Sequence, residues 1–244
     1  MTERGMIFNG EMVRALLSGR KTQTRRIVKG TDGAVKFCKE WDINGKEVFV
    51  VLGEKDHTGM NPVLGAISCP FGAVGDRIWV RETWGVVSHA FSDDGLMIDW
   101  VPDRSATAIN EMPFGNGYYS GHAIYAADGD FTWGDDDGYE DGRSCWKPSI
   151  HMPRAASRIL LEITNVRVER LNAISEEDAT AEGVPPAGSL LPDYPGTFLT
   201  PKGDFATAKV AFQRLWESIY GEESWKSNPW VWVIEFKRVE GGAA

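Results

Sequence analysis

The chain has 244 residues, 42% hydrophobic and 25% charged, with a formal net charge of −9. This is ordinary globular composition with enough length for a sizeable core. The acidity argues against broad, nonspecific binding to duplex nucleic acid, and no apolar run approaches the ~20 residues of a membrane span. Three scattered cysteines, Cys38, Cys69 and Cys145, cannot close a disulfide framework and suit a reducing cytoplasm. No CxxC pair occurs, so a cysteine zinc cluster is not expected. The acid is local: residues 93–142 hold twelve Asp and Glu against the single cation Arg104, and the remainder is mildly basic.

In chain order, residues 6–9 predict a short strand, and Asn9 or Gly10 caps a helix through about Ser18. Met12, Val13, Leu16 and Leu17 form its apolar face, and Gly19 suits a left-handed end. Next comes Gly19-Arg20-Lys21-Thr22-Gln23-Thr24-Arg25-Arg26, four cations and two hydroxyls in eight residues. Thr24 to Val28 reads as a strand leading out of it. Phe37–Trp41 and Val48–Leu52 predict a hairpin across Asn44-Gly45. Residues 53–74, with several Gly and Pro, read as loop.

A strand opens at Gly75-Asp76, with Ile78 and Val80 on one face and Arg77, Trp79 and Arg81 on the other. Two readings fit that second face: arginines snorkelling over a core tryptophan, or a ligand wall in which Trp79 or Trp84 stacks on a base. Residues 85–150 have weak periodicity and read mostly as a loop-rich insertion. Asp135 to Asp141 faintly resembles a calcium loop but lacks EF-hand spacing, so no metal is expected there.

Arg158 to Leu171 alternates as a long strand, bent near Asn165. Ser175-Glu176-Glu177-Asp178 starts a helix in the manner of a capping box, with Ile174 stapled to Ala179. That helix should end at Gly183. Residues 184–203 carry five prolines and predict a loop. Asp204 is expected to cap a helix through Tyr220, and Pro229 to Val239 closes the chain as a strand, with Trp230, Trp232, Ile234 and Phe236 on one face. Few βαβ units are present, which favours an α+β domain around a small, mostly antiparallel β-barrel.

Lys21 and Thr24 lie three apart at a helix-to-strand turn. A threonine hydroxyl is a weak nucleophile until a base takes its proton. Lysine becomes such a base when its pKa is lowered, and Arg20, Arg25 and Arg26 supply like charge that does so. An acid is also wanted for a leaving amine. Glu182 is the candidate, in the last turn of its helix, where the negative end of the dipole favours the protonated form. His57, His89, His122 and His151 show no triad or metal spacing.

The segment Gly19 to Arg26 resembles the signature of the ASCH superfamily, a PUA-like β-barrel family linked to RNA, whose pattern is G-x-K-x-x-E-x-R. Gly19, Lys21 and Arg26 match, and Thr24 stands where the pattern has Glu. A small bacterial branch makes the same exchange, the N4-acetylcytidine amidohydrolases. The chain is similar to them in Gly19-Arg20-Lys21-Thr22-x-Thr24, in the Gly75-Asp76 strand, in the Leu171–Glu182 helix and in Val233-Ile234-Glu235-Phe236-Lys237. Its greater length is in the manner of phage-encoded versions.

The resemblance implies one PUA-like (ASCH) domain over residues 1–244, with the insertion at about 85–145. It implies a Lys/Thr/Glu triad carried by Lys21, Thr24 and Glu182. The expected activity is hydrolysis of the exocyclic amide of an N4-acylated cytosine nucleoside. Lys21 is then the base, Thr24 the nucleophile, and Glu182 protonates or orients the departing N4. Arg26, Trp79 and Arg81 are the expected substrate-binding residues. No metal or organic cofactor is needed, the setting is cytoplasmic, and RNA is a second partner to consider. The rivals are a noncatalytic RNA-binding module and an ASCH-type ribonuclease using the same basic cleft.

Overall fold

The computed structural model describes residues 1–133 and 144–239. The fold is mixed α+β, and strand, at 38%, outweighs helix. Among the described residues no sheet closes into a barrel, so the expected barrel is replaced by open sheets. The helices include α1 (Gly10–Leu17), α2 (Glu176–Ala181) and α3 (Ala208–Tyr220). Among the described residues no helix is long and apolar enough to cross a membrane. The acidic run from Asp135 to Asp141 lies outside the described residues.

The chain divides into two compact units. The first comprises Met1–Thr2, Ala15–Arg77 and Glu162–Lys237. Its spine is the strand Trp230–Val239, flanked by Leu160–Arg170 and by Gln23–Ile27. Gln23–Ile27 pairs antiparallel with it, Arg25 opposite Val233 and Thr24 opposite Ile234. Both faces of this spine are covered, which the expected one-sided pattern missed. Val231 and Val233 pack with Ile174, Ala179, Phe212 and Trp216 of the helical layer. On the other face Trp232 meets Phe49 edge-on at 5.1 Å. Phe49 belongs to a sheet of Lys36–Trp41, Glu47–Leu52 and Val63–Ile67.

The Asn44-Gly45 hairpin forms as expected, with Lys36 to Trp41 registered on Leu52 to Glu47. Residues 53–74 are not all loop. The apolar run Val63-Leu64-Gly65-Ala66-Ile67 pairs with Glu47–Leu52, and surrounding Gly and Pro had hidden it. Asp204 does not cap α3. Its carbonyl accepts from the Thr200 amide, its carboxylate takes the Thr200 hydroxyl and Arg214, and the helix begins after Thr207.

The second unit comprises Glu3–Arg14, Ile78–Leu161 and Arg238–Ala244. Asn9 accepts from the Met12 amide at 2.9 Å and opens α1 as expected. The segment read as a loop-rich insertion holds an antiparallel sheet instead: Thr107–Phe114, Gly117–Tyr125 and Trp84–Val87, in that order. A bulge between Ile109 and Met112, with Glu111 at φ 45°, interrupts the period that sequence reading relies on. Trp84 is fully buried and meets Phe114 edge-on at 5.4 Å, so it is core and not a stacking platform.

One cation organises this core. Arg158 spans Glu82 (Nε to Oε1, 3.0 Å) and Asp128 (Nη1 to Oδ2, 2.7 Å) and lies 3.9 Å over the Tyr125 ring. Burial raises the Glu82 pKa more than Arg158 lowers it.

Gly121 has φ +119°, and a Cβ there would strike the Val87 carbonyl and stand 2.7 Å from Ser88 Cα. Both obstacles are backbone and cannot give way. Gly121→Ala is expected to destabilise the protein by about 2 kcal/mol or more, read as a lowered urea midpoint.

Candidate active site

The turn out of α1 sets the first half of the site. Gly19 takes φ 73° and donates its N–H to the Leu16 carbonyl at 3.1 Å. The Lys21 amide then donates to the Ala15 carbonyl at 3.0 Å. This folds the basic segment back along the helix end, and the Lys21 side chain is left with 0% exposure.

The other half is the C-terminal end of α2. Ser175 Oγ accepts from the Asp178 amide at 3.1 Å and starts the helix. Glu182 is its C-cap residue, at φ −68° and ψ −11°. Gly183 follows at φ +89°, where a Cβ would stand 2.8 Å from Lys21 Cβ and 2.9 Å from Ala15 Cβ. A helix end leaves carbonyls without intrahelical partners. Here the basic segment serves them in turn. The Thr22 amide donates to the Ala181 carbonyl (2.9 Å) and Gln23 Nε2 to that of Asp178 (2.7 Å). Lys21 Nζ donates to the Glu182 carbonyl (2.8 Å) and Arg20 Nη1 to that of Gly183 (3.3 Å). Cations at the negative end of a helix are also favoured by its dipole.

Side-chain charge joins the same two elements. Lys21 Nζ donates to Glu182 Oε2 at 2.8 Å, and Arg25 Nη1 donates to Glu182 Oε1 at 2.9 Å. Arg25 Nη2 reaches Asp178 Oδ2 at 2.8 Å, and Arg167 Nη2 shares that oxygen at 2.8 Å. Glu182 is 3% exposed, and Arg25 has no side-chain exposure. Both Glu182 oxygens accept from cations, the hydrogen-bonding pattern of a carboxylate and not of a proton donor.

The Lys21 pKa is lowered, chiefly by burial. Glu182 pulls it back up, while Arg26 and Arg25 push it further down. Desolvation therefore outweighs the like-charge effect that the sequence suggested. Burial also acts to raise Asp178, but Arg25 and Arg167 prevail and hold its carboxyl below the usual range.

The structure thus brings Lys21 and Glu182 into direct contact. Thr24 is 1% exposed and lies on the strand Gln23–Ile27. Gln23 and Arg25 face α2, so alternation sends Thr24 and Arg26 to the opposite face, that of Ile234 and Trp232. Arg26 is half-buried and donates from Nη1 to the Arg25 carbonyl at 3.3 Å.

Trp79 and Arg81 belong to the second unit. There Arg81 lies 5.1 Å over the Trp79 ring and donates to the Ile150 carbonyl. Gly5 also packs against that ring, and a Cβ there would come within 2.6 Å of it.

Sequence reading gave Arg25 only a like-charge effect on Lys21 and gave Gln23 and Asp178 no part in the site. The signals were present. Gln23 and Arg25 share parity on one strand, and Asp178 lies four residues before Glu182, on one helix face. Among the described residues no group of three or more His, Cys, Asp or Glu could hold a metal ion.

Glu182→Gln leaves Lys21 and Arg25 buried without their shared carboxylate, and should destabilise the protein by about 3–5 kcal/mol. Thr24→Val is nearly isosteric and touches none of these ion pairs, and should change stability by less than about 1 kcal/mol. Thermal and urea unfolding of the two variants, side by side, test this contrast.

Compared with known proteins, the chain matches no family model, no curated protein and no solved structure.

Proposed function

We propose that the chain is an amidohydrolase that cleaves the exocyclic amide of N4-acylated cytosine nucleosides, giving the nucleoside and a carboxylic acid. The observation that carries this reading is the Lys21 amine: fully buried, lowered in pKa, and 2.8 Å from Glu182 at the head of the strand that bears Thr24. A lysine whose pKa is lowered far enough acts as a base, and burial moves Lys21 in that direction. In the proposed reaction the Thr24 hydroxyl, which strand alternation turns away from α2, must swing to the neutral Lys21 amine; Lys21 then takes its proton, and the Thr24 oxygen attacks the acyl carbonyl. The C–N bond breaks as Lys21 returns the proton to the departing N4. Water then hydrolyses the threonyl ester and releases the acid. Glu182, already held by two cations, orients Lys21 in this scheme. Arg26 shares the Thr24 face and is the proposed contact for the pyrimidine carbonyl. The reading carries with it an ASCH-type, PUA-like fold, with which the α+β make-up and antiparallel pairing are consistent, and a cytoplasmic setting.

A second reading, a noncatalytic module, is favoured by a specific observation. Lys21 and Arg25 have no side-chain exposure, and their ion pairs are with the chain's own carboxylates. On that reading they are fasteners, and Thr24 has no chemical task.

Incubation with N4-acetylcytidine separates the two. The amidohydrolase releases cytidine and acetate, and Thr24→Val and Lys21→Met each lower the rate by about a hundredfold or more. The base works only when neutral, so the rate climbs with pH through a Lys21 pKa that burial sets below 10.5. A folded protein that leaves the nucleoside intact supports the second reading.

A further inference from the structure

A carboxylate paired with one lysine holds it as ammonium, which is useless as a base. Here Glu182 has two cations. Arg25 takes Oε1 at 2.9 Å while Lys21 takes Oε2 at 2.8 Å, so neither cation has the carboxylate to itself. Arg25 is itself divided, because its second amino group holds Asp178 Oδ2 at 2.8 Å. Asp178 is shared in turn with Arg167. The result is a row of alternating charge: Lys21, Glu182, Arg25, Asp178, Arg167. Only a planar guanidinium spans two carboxylates in this way; a lysine at position 25 offers a single point charge.

We propose that Arg25 is a positioning residue for Lys21, acting through Glu182: it fixes which carboxylate oxygen faces the amine and weakens that oxygen's hold on the proton. The catalytic meaning of this inference rests on the amidohydrolase reading; the electrostatic coupling does not. The charged groups that act on Lys21 are Glu182 at the end of α2 and Arg25 and Arg26 on the following strand. Two opposite consequences follow. Without Arg25, Glu182 turns its whole charge on Lys21 and a neighbouring positive charge is lost, so the amine keeps its proton to higher pH. Without the Asp178 charge, Arg25 concentrates on Glu182 and draws it from Lys21, so the amine loses its proton sooner.

The test is a pH titration of the lysine Cε signals by heteronuclear NMR, with Lys21 assigned by the signal missing in Lys21→Met. The midpoint should rise by about one pH unit in Arg25→Met and fall in Asp178→Asn. The low-pH limb of N4-acetylcytidine hydrolysis should move in the same two directions. A merely structural role leaves the Lys21 midpoint in place. Unchanged midpoints in folded variants overturn the proposal. If Arg25→Met does not fold, Asp178→Asn decides alone, since Asp178 is the more exposed partner. If the wild type leaves the nucleoside intact, the amidohydrolase reading falls, and the NMR midpoints still decide the role of Arg25.

Discussion

A helix of six residues does not persist by itself, since nucleation costs more than so few hydrogen bonds return. In this protein α2 persists because the basic segment after α1 closes its C-terminal end. One backbone amide, an amide side chain, a lysine and two arginines reach carbonyls and carboxylates that would otherwise be stranded. That closure fixes the position of Glu182, the burial of Lys21 and the direction of the strand that carries Thr24. It also places Ala179 and Ile174 against the spine, where Phe212 and Trp216 complete the layer. The chemistry proposed for the site and the packing of the helical layer therefore depend on the same few contacts.

Each compact unit solves the burial of charge in the same way. In the first, Arg25 spans Glu182 and Asp178; in the second, Arg158 spans Glu82 and Asp128. A guanidinium fork can satisfy two carboxylates at once, which keeps buried charge hydrogen-bonded on both sides. The difference lies in the third partner. Arg158 lies over an aromatic ring, Tyr125, and forms a closed structural knot. Arg25 shares its carboxylate with a lysine, and a lysine can lose its proton.

Much of this was legible from residue order. The Asn9 cap, the Gly19 turn, the Asn44-Gly45 hairpin, the Ser175 start and the Gly183 stop are local signals, each set by neighbours within a few positions. The contact of Lys21 with Glu182 was anticipated only through a family resemblance, because 161 residues separate them. What stayed hidden was non-local or irregular. The sheet around Gly117–Tyr125 is broken by a bulge, so its alternation fails. The Val63–Ile67 strand is short and set among turn residues. The division of labour between neighbours was visible in parity alone: Gln23 and Arg25 serve the helix, while Thr24 and Arg26 face the other way.

That alternation makes the segment sensitive to its length in a way that its composition does not reveal. One residue inserted between Thr22 and Gln23 would reverse the faces of the strand. An arginine would turn toward Trp232, and a threonine would meet Glu182 in its place. Individual side chains here can be exchanged for near equivalents, but the count between Gly19 and Ile27 is fixed by geometry.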